Sequence, residues 1–301
     1  MKEFLYNIIY GIFYLVSKLP YRALYVRSDI ANLVLYHIVR YRRDIVRRNI
    51  TSAFPEKSLE ECISIERGFY KWFCDYFVET VKLMSVSRQE LLSRIEFRGI
   101  DKIEECFDRG QTCAGILGHY GNWELLSATG LVIKKHPEAV IGLIYHPLRS
   151  QLFDRLFINL RTKFGSFGIK KQDTVRDVIT LKKNKTRCVV IFIADQTPSR
   201  NNLHYWTNFL NQDSSILTGP ERLARKLDLP VIFLDTKQVK RGYYTVDMKL
   251  VTPKETPENW ITEQYARLME KCILRNPSGW LWTHKRWKHK RVESGELKVE
   301  S

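Results

Sequence analysis

The six cysteines of this chain include no Cys-x-x-Cys pair, so the usual spacing of a structural zinc site is missing. Cys62, Cys74, Cys106, Cys113, Cys188 and Cys272 lie in apolar patterns and read as reduced core residues of a protein in a reducing compartment. There is no Gly-x-Ser-x-Gly elbow, which takes away the central feature of a serine hydrolase. There is no Walker A motif and no Gly-x-Gly-x-x-Gly, so nucleotide binding has no support. No internal repeat, low-complexity tract or Gly/Ser linker divides the chain. Carboxylates are also scarce. Asp and Glu number 33 against 49 Lys and Arg, a net charge of +16. That excess implies an acidic partner, whether nucleic acid, an anionic membrane surface or an acidic substrate.

A long apolar run is missing as well. Phe4 to Ser17 carries no charge, yet it falls short of the roughly 20 residues that span a bilayer. No small-residue cleavage site follows it, which argues against a secretory signal. Tyr6, Tyr10 and Tyr14 recur at helical spacing, and such residues suit a membrane interface. The segment reads as a membrane-anchoring helix over 1–20, with an apolar helix packed on the domain as the alternative.

What is present is a globular chain of 301 residues, 44% hydrophobic and 27% charged. Residues 21–100 read as helical. "ANLVLYHIVRYRRDIVRRNI" is apolar at helical spacing and rich in arginine, and "SAFPEKS" breaks it at Pro55. Ser58 with Glu61, and Ser87 with Glu90, have capping-box spacing. "YKWFCDYFVETVKLM" is aromatic and apolar, with Glu79 as a candidate carboxylate. Over 101–290 the rhythm changes. The β-rich runs "TCAGILG", "AVIGLIY", "RCVVIFIA", "PVIFLD" and "YYTVDMKL" alternate with "ELLSATGLVIKK", "QLFDRLFINLRTKF", "TVRDVITLKK" and "GPERLARKL", which read as helices. Thr218 and Glu221 around Pro220 mark a further helix start. The predicted fold class is α/β, a mixed central sheet flanked by helices, with a helical N-terminal membrane-anchoring extension. Residues 291–301 read as a disordered tail.

"GHYGNWE", Gly118 to Glu124, puts a histidine at the end of the strand-like "TCAGILG" and a carboxylate five positions on. Sites in open α/β sheets collect beyond the carboxyl ends of strands. A histidine held by a carboxylate can take a proton from a hydroxyl. The spacing by itself is equally met by a histidine that closes a strand. Gly118 and Gly121 allow a tight turn between the two. With a candidate base and no enzyme nucleophile, the substrate should supply the attacking group. Asp195 follows "VVIFIA" at another strand end, on the same edge as His119 if the strands run parallel, or is a turn or cap aspartate. Arg161 is an anion clamp or a solvated helix arginine. In "WLWTHKRWKHKR", tryptophans and cations suit either nucleic acid or an anionic membrane surface, and the apolar N-terminus favours the membrane. His284 within it reads as structural.

These segments together resemble the late acyltransferases of lipid A biosynthesis, the lauroyl/myristoyl transferase family. "GHYGNWE" resembles that family's acyltransferase box. "RYRRDIVRRNITSAFPEKS", "FVETVKL", "YHPLRSQLFDRLFINLRTKFG", "IADQTPSRNN", "TGPERLARKLDLPVIF" and "WLWTHKRWK" resemble its other segments in order, over roughly residues 36–288. The chain departs from the family at Tyr145-His146-Pro147, where Tyr-Arg-Pro is common. It departs again at Leu160-Arg161, where Gly-Arg is common, and at Phe209-Leu210, where a paired Phe is common.

The resemblance implies an O-acyltransferase, with His119 as general base, Glu124 as its charge-relay acid, and Arg161 and Asp195 in the substrate-binding region. It implies no metal and no resident cofactor, with acyl carrier protein or acyl-CoA bringing the acyl chain. The implied acceptor is a phosphorylated glycolipid, a lipid A precursor, at the cytoplasmic face of a bacterial inner membrane with anionic lipid around it. The rival readings are another glycolipid or aminolipid acceptor, and a non-catalytic membrane- or nucleic-acid-binding protein, although nucleic acid is not the expected partner.

Overall fold

The computed structural model describes residues 2–251 and 256–291. The chain begins with helices α1 (Lys2–Lys18), α2 (Tyr21–Leu33), α3 (Arg43–Ala53), α4 (Leu59–Lys82) and α5 (Arg88–Leu92). A π-helical turn over Val34–Val39 extends α2, and Arg40 and Arg42 at φ 52° and 53° turn the chain into α3. The capping box at Ser58 is formed, with Glu61 N donating to Ser58 Oγ and Ser58 N to the Glu61 carboxylate. Ser87 caps α5 by accepting from Glu90 N. Helix α4 is the spine of this layer. Its Phe69, Tyr70 and Trp72 are buried, and Arg47 of α3 forks onto its buried Glu66.

The sheet follows. Its chain order is β1 (Ile95–Arg98), α6 (Asp101–Asp108), β2 (Cys113–Leu117), a 3₁₀ helix over Trp123–Val132, β3 (Val140–Tyr145), α7 (Gln151–Thr162), β4 (Ser166–Lys170), α8 (Thr174–Lys183) and β5 (Cys188–Ile193). A hairpin of β6 (Trp206–Phe209) and β7 (Gln212–Ser215) stands apart, and α9 (Gly219–Leu227), β8 (Val231–Lys240), β9 (Tyr243–Leu250) and α10 (Trp260–Arg275) complete it. Seven strands lie in the order β1-β9-β8-β2-β5-β3-β4, all parallel to their neighbours except β8 and β9. The mixed α/β sheet flanked by helices is as expected. The first strand, β1, lies within the region read as wholly helical, 21–100. One apolar core runs from Tyr36 and Phe69 of the helical layer to Trp282.

The helix start expected at Thr218 and Pro220 is that of α9. No side-chain cap forms there, and buried Glu221 instead accepts from Thr262 N and Oγ1 at 2.8 and 2.6 Å, at the start of α10. The carboxylate thus serves a first-turn amide of the neighbouring helix that has no partner within that helix.

No helix among the described residues is long and apolar enough to cross a membrane. Of the three tyrosines of α1, Tyr10 and Tyr14 are half-buried and Tyr6 faces the protein. Tyr6 is buried, its hydroxyl accepts from Asn159 Nδ2 of α7 at 3.0 Å, and the Arg155 guanidinium lies 4.1 Å over its ring. The same helix exposes Phe4, Ile8, Ile12 and Leu15. The C-terminal tryptophans are likewise structural rather than interfacial. Trp280 and Trp282 are buried, and Trp287 Nε1 donates to Ser214 Oγ at 2.7 Å. The expected tail at 291–301 lies outside the described residues beyond Arg291.

Candidate active site

Strands β2 and β5 run side by side with Leu117 opposite Ile193. Ala194 N donates to Leu117 O at 3.1 Å, so the two chains leave the sheet together. His119 and Asp195 each stand two residues beyond that last pair. From β2 the chain passes to β3 on one side, and from β5 it returns to β8 on the other. The two residues therefore sit at a topological switch point, where a crevice opens beyond the strand ends.

His119 Nδ1 is 2.7 Å from Asp195 Oδ1, and His119 N donates to Asp195 Oδ2 at 2.8 Å. Trp280 Nε1 gives the carboxylate a third bond, to Oδ2 at 2.7 Å. Burial would push the Asp195 carboxyl up, but the imidazole and these donors outweigh it and hold it down to about 2. An ionised carboxylate on Nδ1 fixes the tautomer and leaves Nε2 to act on a substrate. The ring also meets Trp123 edge-on at 5.0 Å.

Local sequence explains the close approach. A Cβ on Gly118 would come within 2.4 Å of Met269 Cε and 3.1 Å of Asp195 Cγ, so glycine lets the chain pass without displacing the Met269 side chain or crowding the Asp195 carboxylate. Gly121 takes φ +61°, and its N donates to Gly279 O at 2.9 Å. Leu281 N donates to His119 O at 3.1 Å, which lays residues 279–281 antiparallel along the turn.

Glu124 is placed elsewhere, and the expected pairing with His119 is corrected. Its buried carboxylate is forked by Arg161 of α7, Nε to Oε2 at 2.7 Å and Nη2 to Oε1 at 2.6 Å, and Tyr76 Oη donates to Oε1 at 3.2 Å. Five residues of turn and 3₁₀ helix carry Glu124 toward α4 and α7. The Arg161 fork is thereby filled from within the protein rather than open as a clamp. Burial opposes the guanidinium charge, but Glu124 raises its pKa above the ordinary arginine value. Behind this pair, Asn122 Nδ2 donates to Glu79 Oε2 at 2.9 Å, and Tyr244 Oη and Tyr25 Oη reach the same carboxylate at 2.7 and 3.0 Å. His284 approaches the site from the C-terminal segment, and burial pushes its pKa down to about 4 against the opposing pull of Asp195.

The family model for bacterial lipid A biosynthesis acyltransferase matches residues 1–289. The chain belongs to this family. It is 23% identical over 301 residues to the lipid A biosynthesis palmitoleoyltransferase of Escherichia coli K12, covering 96% of this chain and 92% of that protein. A lipid A biosynthesis acyltransferase of Shigella flexneri shows the same identity and coverage. The lauroyltransferase of Escherichia coli K12 is 24% identical over 286 residues, 92% of this chain and 89% of that one.

For an acyltransferase, the arrangement supplies an oriented imidazole and a carboxylate to steady its cation. Among the described residues, no group of three or more His, Cys, Asp and Glu side chains is gathered as a metal site would need. Trp280 entered the sequence reading only as part of an interfacial run, and Tyr76 only as part of an aromatic helix. Neither carries a spacing signal, because each reaches the site across the fold.

Proposed function

We propose that this acyltransferase moves a fatty acyl chain from a thioester, on acyl carrier protein or coenzyme A, to a hydroxyl of a phosphorylated, acylated glucosamine lipid, a lipid A precursor. The observation that carries the proposal is the His119–Asp195 pair at the ends of β2 and β5, in a chain of this family. His119 Nε2 takes the proton of the acceptor hydroxyl. The oxygen attacks the thioester carbonyl, and a tetrahedral intermediate forms on the substrate rather than on the enzyme. Its collapse breaks the carbon–sulfur bond. The imidazolium returns its proton to the departing thiolate, leaving an ester and a free thiol. Asp195 stays ionised throughout and stabilises the transient imidazolium.

Glu124 and Arg161 act by position. Their fork ties the 3₁₀ helix after His119 to α7, so the turn bearing the base is held from both sides. The exposed stripe of Phe4, Ile8, Ile12 and Leu15 lies in a membrane surface, where the lipid acceptor resides. The +16 charge favours an anionic bilayer, a phosphorylated acceptor and an acidic carrier at once.

The test is transfer of a radiolabelled acyl chain to lipid A precursor by purified His119→Ala. Wild-type folding by circular dichroism with a transfer rate reduced on the order of 10³-fold or more is expected, the scale on which removal of an essential base acts. Transfer at the wild-type rate would refute the base assignment. Wild-type enzyme that acylates another glycolipid while ignoring lipid A precursor would redirect the acceptor.

A further inference from the structure

A cavity of about 510 Å³ lies away from the His119 crevice, between α3, the β6–β7 hairpin and the C-terminal segment. Its wall carries Arg48, Lys285, Lys288, His289 and Arg291, against one acid, Asp213. Among the described residues, Arg48, Lys285, Lys288 and Arg291 are in no ion pair with a carboxylate. Like charges crowded round a concavity repel one another unless an anion joins them.

A second observation points the same way. His289 is only 8% exposed, and its Nδ1 is buried with no hydrogen-bond partner. Gln212 Nε2, of another lining residue, is also buried and unpartnered. An amide nitrogen can only donate. A buried amide donor without an acceptor is destabilising unless a ligand satisfies it, and so is an unpartnered ring nitrogen. Burial together with Lys288 and Arg200 pushes the His289 pKa down, so a bound anion would also relieve that ring.

We propose that this cavity binds a phosphate monoester. A phosphate monoester carries roughly two negative charges at neutral pH and three acceptor oxygens. It suits an arginine fork, lysine point charges and a neutral amide donor better than a singly charged carboxylate or phosphodiester does. The cavity also shares its frame with the active site. Asn49, on its wall, donates from Nδ2 to Trp282 O and His284 O at 2.8 and 2.9 Å, two residues from the Trp280 that holds Asp195. That the phosphate belongs to the glycolipid acceptor rests on the function proposed above, whereas the site's affinity for phosphate does not.

The experiment measures binding without any acyl donor, so it stands whether or not transfer occurs. Full-length protein is titrated with inorganic phosphate. It is also titrated with phosphatidylcholine vesicles carrying phosphatidic acid, against vesicles of equal charge carrying phosphatidylglycerol. The variant combines Arg48→Gln, Lys285→Gln and Lys288→Gln. The charge-matched control combines Lys134→Gln, Lys183→Gln and Lys226→Gln, all exposed elsewhere. We expect the cavity variant to lose at least about tenfold in affinity for phosphate, phosphatidic acid or both, while the control stays within about twofold, since charge-assisted contacts are the strong ones. His289→Gln is expected to weaken the same probe with an unchanged melting curve. Loss for inorganic phosphate alone identifies a soluble ligand, and loss for phosphatidic acid identifies a lipid headgroup. Equal loss in variant and control, or no loss in either, overturns the proposal. Arg48-dependent binding of a single-stranded RNA oligonucleotide without binding of either phosphate probe also overturns it.

Discussion

At the scale of single residues, two carboxylates flank the chain after β2 and do different work. Asp195 touches the ring of His119, while Glu124 touches Arg161 and Tyr76. The two assignments separate by measurement. Asp195→Asn keeps the shape but presents an amide to Nδ1, which allows the wrong tautomer and withdraws the charge that steadies the imidazolium. Transfer is expected to fall on the order of 10³- to 10⁴-fold, as in other histidine–carboxylate pairs, with little change in urea unfolding. Glu124→Leu leaves the Arg161 guanidinium, whose side chain is one quarter exposed, without its counter-charge. Stability is expected to drop on the order of 2–3 kcal/mol, somewhat less than for a fully buried pair. The Glu124→Leu/Arg161→Met double variant is expected to recover part of that loss. An Asp195→Asn enzyme at full rate, with Glu124→Gln inactive yet fully stable, would return the relay role to Glu124.

At the scale of elements, strands with strong β-propensity on buried faces were the legible part. Each of the five β-rich runs lies on one of β2, β3, β5, β8 and β9. The runs taken as helices after β3, after β4 and before β8 are α7, α8 and α9. The four strands not foreseen are short or carry little apolar alternation, such as "IEFR" in β1 and "QDSS" in β7, and their pairing comes from the surrounding fold. The run "ELLSATGLVIKK", read as a helix, falls largely in a 3₁₀ helix over Trp123–Val132. The site followed the same division. His119 and Asp195 were placed at strand ends because the apolar runs before them read as strands. Their contact spans 76 residues and needed the β2–β5 register, which no local spacing contains. Proximity along the chain therefore favoured Glu124.

The N-terminal helix shows the same limit and yields its own test. Spacing alone gave a stripe of Tyr6, Tyr10 and Tyr14, which suited a membrane interface. In the fold Tyr6 faces α7, so the aliphatic stripe is the free one. Ile8→Glu with Ile12→Glu should leave the melting temperature nearly unchanged and reduce co-sedimentation with anionic vesicles by about tenfold or more, because each exposed isoleucine loses on the order of 1.5–3 kcal/mol of insertion. Undiminished vesicle binding would move the membrane contact to another face.

At the scale of the whole molecule, Glu79 joins the helical layer to the sheet. Its carboxylate on α4 collects Tyr25 of α2, Asn122 of the turn after His119, and Tyr244 of β9. Burial pushes its pKa up, and the three donors only partly offset that, leaving it at about 7 against an ordinary 4.5. The sign follows from proton binding. Between pH 4.5 and about 7 the folded protein keeps a proton on Glu79 that the unfolded chain has lost. The folded state therefore binds more protons there, and stability falls as pH rises through that window. The loss approaches about 3 kcal/mol, since each pKa unit is worth about 1.4 kcal/mol. Asp195 acts at a lower pH and with the opposite sign. Its depressed pKa adds stability above the ordinary 3.8, which disappears as pH falls toward about 2. Glu79→Gln keeps an acceptor for Tyr244 and Asn122 and removes the titration. Urea unfolding of wild type and Glu79→Gln from pH 4.5 to 8 should give two curves that converge at the acid end, with the variant more stable at neutral pH. Parallel curves across the range would show that Glu79 ionises no differently in the folded and unfolded states. The layers would then be joined by the hydrogen bonds alone.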